Sequence, residues 1–127
     1  MRTVALLKKA IENGSAYAAY LLGKEYLDGT VLLQDVPEAL RLLTLSADKG
    51  FTPAEYLLGK LLYKGEAIPQ DILKALAYLE RVAQKENSYA AYLAGKIYLT
   101  EDEVKDVQKA IRLLQAAAER ENDYAEY

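Results

Sequence analysis

The chain has 127 residues, 52% hydrophobic and 28% charged, with a formal net charge of −3. That length and balance describe one globular domain able to bury about two-thirds of its unfolded surface, and they exclude disordered and membrane-spanning classes. The absence of both Cys and His removes disulfides, thiolate metal sites, the commonest general base and the commonest metal ligand, while the acidic balance argues against a dedicated nucleic-acid binder.

The N-terminal segment 1–14 carries four consecutive apolar residues before a Lys pair, too few for a signal-peptide core. From Ser15 onward the sequence repeats. Gly23, Gly59 and Gly95 lie 36 residues apart, as do Lys24, Lys60 and Lys96, then Tyr20, Tyr56 and Tyr92, then Ala18, Ala54 and Ala90. A second block follows each of these: Asp35-Val-Pro-Glu-Ala-Leu40, Asp71-Ile-Leu-Lys-Ala-Leu76 and Asp106-Val-Gln-Lys-Ala-Ile111. The last connecting loop is one residue shorter. Three repeats therefore run over 15–50, 51–86 and 87–121.

Each repeat reads as two helices. In the first, Ala18, Leu22 and Tyr26 recur every fourth residue as one apolar stripe, and Gly29 stands where a left-handed residue would stop the helix. Asp35 with Glu38 reads as a capping box for the second helix, whose stripe is Leu40, Leu43 and Ala47 before Gly50. In the second repeat Thr52 is the expected N-cap, with Pro53 in the first turn and Glu55 completing a capping box; Gly65 matches Gly29. The spacing predicts helices at about 16–28, 36–49, 52–64, 72–85, 88–99 and 107–120. Residues 1–14 align with the second helix of a preceding repeat. Residues 122–127 read as the opening turn of a further first helix, so the chain is expected to be a piece of a longer array.

Gly23, Gly59 and Gly95 sit mid-helix, where Gly is unfavourable by about 0.5–1 kcal/mol relative to Ala. Three repetitions of that choice point to close helix packing, with Ala39, Ala75 and Ala110 expected to face the glycines.

The pattern Ala-x-x-x-Leu-Gly-x-x-Tyr-x-x-Gly, a loop, Asp, Ala and a closing Ala-x-x-Gly resembles the Sel1-like repeat, a relative of the tetratricopeptide repeat. Ala18, Leu22, Gly23, Tyr26, Gly29, Asp35, Ala39, Ala47 and Gly50 fit it in the first repeat. The departures are Val31 and Ala67 for a loop glycine, Leu42, Tyr78 and Leu113 for a tryptophan, and Glu101 for the first loop glycine of the third repeat. The resemblance implies an all-α fold, an α-solenoid of helix-turn-helix repeats, acting as a protein-interaction scaffold. A narrower likeness, in the wording Tyr-Ala-x-Tyr-Leu-x-Gly-Lys-x-Tyr-Leu, is to repeat arrays that follow the nicking domain of bacterial plasmid mobilisation relaxases. That likeness implies an accessory segment docking a catalytic domain, a conjugation partner or DNA. The relaxase active site itself needs metal-binding His, which this chain lacks.

On a wheel of about 100° per residue, Tyr17, Tyr20 and Lys24 fall opposite the apolar stripe. In tetratricopeptide-like arrays that face lines a concave groove. The resemblance therefore implies a groove of Tyr20, Tyr56 and Tyr92, of Lys24, Lys60 and Lys96 with their ammonium groups exposed, and of Tyr17, Tyr63 and Tyr89. Amphipathic rings beside ammonium groups suit an extended peptide with acidic side chains or a free carboxylate. Inter-repeat packing for the tyrosines and a solvated face for the lysines fit the same positions. Glu101-Asp102-Glu103 beside Asp106 lacks the spacing of a calcium loop and reads as a solvated loop. No catalytic constellation, metal site or cofactor motif is recognisable. The expected partner is a protein or peptide, not a membrane or nucleic acid, with a cytoplasmic setting favoured and the oligomeric state left open.

Overall fold

A computed structural model describes residues 2–125, with side chains through residue 119. Over that range the chain forms seven α-helices, one 3-10 turn and no strand. The helices are α1 (Arg2–Glu12), α2 (Ala16–Asp28), α3 (Val36–Asp48), α4 (Thr52–Lys64), α5 (Ile72–Gln84), α6 (Ser88–Thr100) and α7 (Val107–Ala125), with the 3-10 turn at Asp102–Val104.

Side-chain oxygens start most of them. Ser15 accepts from the Ala18 amide at 3.0 Å, Asp35 from Glu38 at 3.1 Å, Asp71 from Lys74 at 3.1 Å, Asn87 from Ala90 at 3.0 Å and Asp106 from Lys109 at 3.1 Å. Each such cap contributes about 0.5–2 kcal/mol. Two expectations need correction. Thr52 is already the first residue of α4, so the capping position falls to Phe51, whose carbonyl accepts from the Ala54 and Glu55 amides but whose side chain has no oxygen. The box at Asp35 is one-sided, because the Glu38 carboxylate turns to Arg41, taking a hydrogen bond from its Nε at 2.9 Å.

The helices end where the backbone turns left-handed. Gly29 and Gly65 both have φ of 68°, a conformation that suits a residue without Cβ. Gly14 and Gly50 do the same after the second helices, and at the equivalent position Glu86 adopts φ of 64°. In the third repeat the residue in that register is Glu121, and α7 runs past it through Ala125. The helix expected to open at residue 122 does not begin there; residues 126 and 127 lie outside the described residues.

The chain divides into two compact units, Met1–Leu58 and Gly59–Tyr127. In the first, α2 packs on α3 through Ala18, Leu22 and Gly23 against Ala39, Leu42, Leu43 and Ala47, all buried. The α3 stripe is centred differently from the expected one: Leu42 is buried in the position given to tryptophan by the family pattern, while Leu40 is only half-buried. Ser46 is also fully buried, and its hydroxyl donates to the Ala16 carbonyl at 2.7 Å, so no polar group is stranded.

A notch and a leucine recur between the two helices of every repeat. A Cβ placed on Gly23 would lie 2.9 Å from Leu43 Cγ and 3.3 Å from the Ala39 carbonyl oxygen. In the second unit the same atom on Gly59 would meet Leu79 Cγ at 2.8 Å, and on Gly95 would meet Leu114 Cγ at 2.9 Å and the Ala110 carbonyl at 3.2 Å. The alanines face the glycines as expected, through their carbonyls. The leucine four residues further on fills the notch.

Candidate protein-interaction surface

In the first unit, α2 carries Tyr17, Tyr20 and Lys24 away from the seam, because these positions lie on the opposite side of the helix from Ala18 and Leu22. Tyr17 is 57% exposed, Lys24 is exposed and Tyr20 is half-buried. The structure brings these residues together. The Phe51 ring sits 5.8 Å from that of Tyr17 and 5.4 Å from that of Tyr20, both tilted, and Lys24 Nζ stands 5.5 Å from the Tyr20 ring centroid. Tyr20 thus has a packing role across the start of the next repeat as well as an outward edge. Tyr56, on α4, is half-buried.

In the second unit, Tyr89, Tyr92, Lys96 and Leu99 are spaced as one stripe along α6, and all four are exposed, Tyr89 by 71% and Tyr92 by 48%. Lys60 and Tyr63, on the later half of α4, are half-buried, so Lys60 is less exposed than the lysine side chain expected there.

Three arrangements were not legible in the motifs. Phe51 is the first, although its being the sole Phe in the chain, at a position held by Ser15 and Asn87 in the neighbouring repeats, is a signal in retrospect. The second is a clasp in the first unit. Glu25 accepts from the Val31 amide at 2.7 Å, the Leu32 amide at 3.0 Å and the Thr30 hydroxyl at 2.7 Å. These bonds, led by the one from Leu32, hold its carboxyl below the ordinary value, and they present Val31 and Leu33 to solvent, Leu33 by 91%. The third joins α5, α6 and α7. Glu80 accepts from Tyr98 Oη at 3.0 Å and pairs with Lys109 Nζ at 2.9 Å, while that ammonium lies 4.7 Å from the Tyr98 ring centroid. The bond to Glu80, then that to Tyr98, pushes the Lys109 ammonium up to about 12, and burial raises the Tyr98 phenol.

Clefts open beside these groups. One in the first unit is lined by Lys8, Tyr26, Glu38 and Arg41, and two in the second share Ala83, Ala91 and Ala116. Their central charges are already used, Glu38 by Arg41 and Glu80 by Lys109. Among the described residues no three His, Cys, Asp or Glu are placed to hold a metal ion, and no helix is long and apolar enough to cross a membrane. The acidic loop at Glu101 forms the 3-10 turn, and Asp106 serves as the cap of α7.

A family model described as the Sel1 repeat matches residues 16–51, 52–87 and 88–122. Among solved structures the chain is similar to c5321, a protective antigen present in uropathogenic Escherichia coli strains that displays an SLR fold: 31% identity, a TM-score of 0.84, and coverage of 92% of this chain and 25% of that one. It is also similar to a Sel1 repeat protein from Oxalobacter formigenes, at 26% identity and a TM-score of 0.81, covering 92% of this chain and 48% of that one. The chain thus spans about a quarter and about half of the length of these two proteins. No curated protein matches.

Proposed function

The chain belongs to the Sel1 repeat family and has its all-α solenoid fold, and on that premise we propose that it binds an extended protein segment along the Tyr/Lys face of α6. Sel1 repeats are in general protein–protein interaction scaffolds and typically non-catalytic. The observation that carries the finer reading is the α6 stripe, where two tyrosines, a lysine and a leucine stand in water along one helix face. Aromatic rings lose little conformational entropy when they bind, and contiguous apolar area in solvent marks interaction sites. Lys96, exposed on that stripe, adds a preference for acidic side chains on the bound segment.

A photo-crosslinking phenylalanine analogue placed at Tyr92, in cells that make the whole parent protein, should capture a partner protein. Tyr89→Ser combined with Tyr92→Ser should then weaken that partner's binding without lowering the melting temperature. Unchanged affinity in the double variant would remove the stripe from the function. Binding of single-stranded DNA that falls steeply with salt would instead favour an accessory segment of a mobilisation relaxase.

A further inference from the structure

At the start of its second repeat the chain replaces a capping side chain with an aromatic ring. Ser15 and Asn87, in register with position 51, each accept an amide hydrogen bond from the third residue onward. Phe51 offers none. Its ring packs instead against those of both Tyr17 and Tyr20, at interplanar angles of 52° and 58°, with Tyr17 57% exposed and the other two half-buried. A local rule broken at one repeat and kept at its neighbours points to a selected use for the ring.

The geometry narrows the ligand. Phe51 is tilted against both tyrosines, so the cluster offers no flat stacking face but an uneven, partly exposed aromatic surface, the kind that packs against the pyrrolidine rings of an extended segment. Lys24 places the protein's own ammonium 5.5 Å from the Tyr20 ring centroid, so a cationic ligand meets like charge there and an anionic one finds a partner. We propose that Tyr17, Tyr20, Phe51 and Lys24 form a docking site for a proline-containing acidic segment of a partner protein, bound in the polyproline II conformation. Such a segment is already extended in solution, and its carboxylates alternate with prolines at a spacing that lets one ring pack on the aromatic cluster while an acid reaches Lys24. The assignment rests on the scaffold reading above and specifies its ligand.

The test uses the full chain and three synthetic peptides, each of three repeated units: Asp-Pro-Pro, Asp-Ala-Ala and Lys-Pro-Pro. Binding is followed by amide chemical shifts. The Asp-Pro-Pro peptide should bind tightest and shift the amides around Tyr17, Lys24 and Phe51. Phe51→Ser, which places at position 51 the capping residue found at Ser15, should weaken that binding about fivefold or more while circular dichroism shows an unchanged helix content. Lys24→Ala should reduce the advantage over the Lys-Pro-Pro peptide. Equal binding of Asp-Ala-Ala would overturn the proline assignment and leave the scaffold reading intact. Preference for Lys-Pro-Pro, undiminished binding by Phe51→Ser, or no binding of any peptide would overturn the site, whereas cross-linking from α6 judges the scaffold reading separately.

Discussion

Replacing Gly59 by Ala should destabilise the protein, against the usual effect of adding a methyl group to a helix. In an open helix interior the change stabilises by about 1 kcal/mol, because Ala restricts the unfolded chain. Here the new Cβ would lie 2.8 Å from both Cγ and Cδ2 of Leu79, roughly 0.7 Å inside ordinary carbon contact. Leu79 has no exposed surface and cannot swing aside into water. Overpacking of this kind costs about 1–3 kcal/mol, so the net loss is about 1 kcal/mol, or about 3–5 °C in melting temperature for a chain of this length. Gly59→Leu should cost several kcal/mol. The decisive comparison is made in the Leu79→Ala background, itself about 2–5 kcal/mol less stable. With the leucine gone the clash vanishes, and Gly59→Ala should stabilise by about 0.5–1 kcal/mol. Urea denaturation followed by circular dichroism reads all four proteins. A Gly59→Ala chain as stable as the parent in the Leu79 background would refute the notch.

Gly29→Ala should cost about 1–2 kcal/mol in urea midpoint and more than Gly50→Ala, since both residues have positive φ but only Gly29 would also press its Cβ against Gln34 at 2.9 Å; equal losses would leave the contact without effect. The Glu25 carboxyl is held below its ordinary 4.5, so the clasp's stabilisation is fully present above about that pH and is lost as pH falls through the folded value. Amide-exchange protection at Val31 and Leu32 should drop over that acid range, and Glu25→Gln should lower it at neutral pH; intact protection in the variant would dismiss the clasp. Lys109, raised from 10.5 to about 12, shows the opposite sign: its pair stabilises fully below pH 10.5 and fades as pH rises through 12. With Lys109 39% exposed, a double-mutant cycle of Lys109→Met with Glu80→Gln at pH 7 should give a coupling of about 0.2–1 kcal/mol, and a value of zero would make the pair decorative.

The elements were readable because caps, stop residues and stripes are local. Asp35, Asp71 and Asp106 fix the starts of three helices, and Gly29 and Gly65 fix the ends of two, each through bonds to residues a few positions away. Thr52 misled by one position because Phe51, the residue before the first turn of α4, gives no local sign of a helix start. The glycine notches were visible from recurrence, but their leucine partners lie 19 or 20 residues along, where no periodic signal ties the two. The candidate surface was harder still. Tyr17 and Tyr20 meet Phe51 only because α2 and the start of α4 are brought together in space, and Glu80 meets Lys109 and Tyr98 across three helices.

The turns inside each repeat share one more property. Whether the turn runs through a left-handed glycine or through the 3-10 turn, it closes on the same backbone bond: Asp35 to Tyr26, Asp71 to Leu62 and Asp106 to Tyr98, each at 2.9 Å. Each Asp then caps the following helix with its side chain. The helix pair is thus joined at the same two fixed points in every repeat, and the one-residue difference in the third shows that the segment between them tolerates a change of length. Epitopes, tags or whole domains inserted after Glu66 or Asp102 would ride outside the helical register, making these turns the natural ports for grafting new function onto the array.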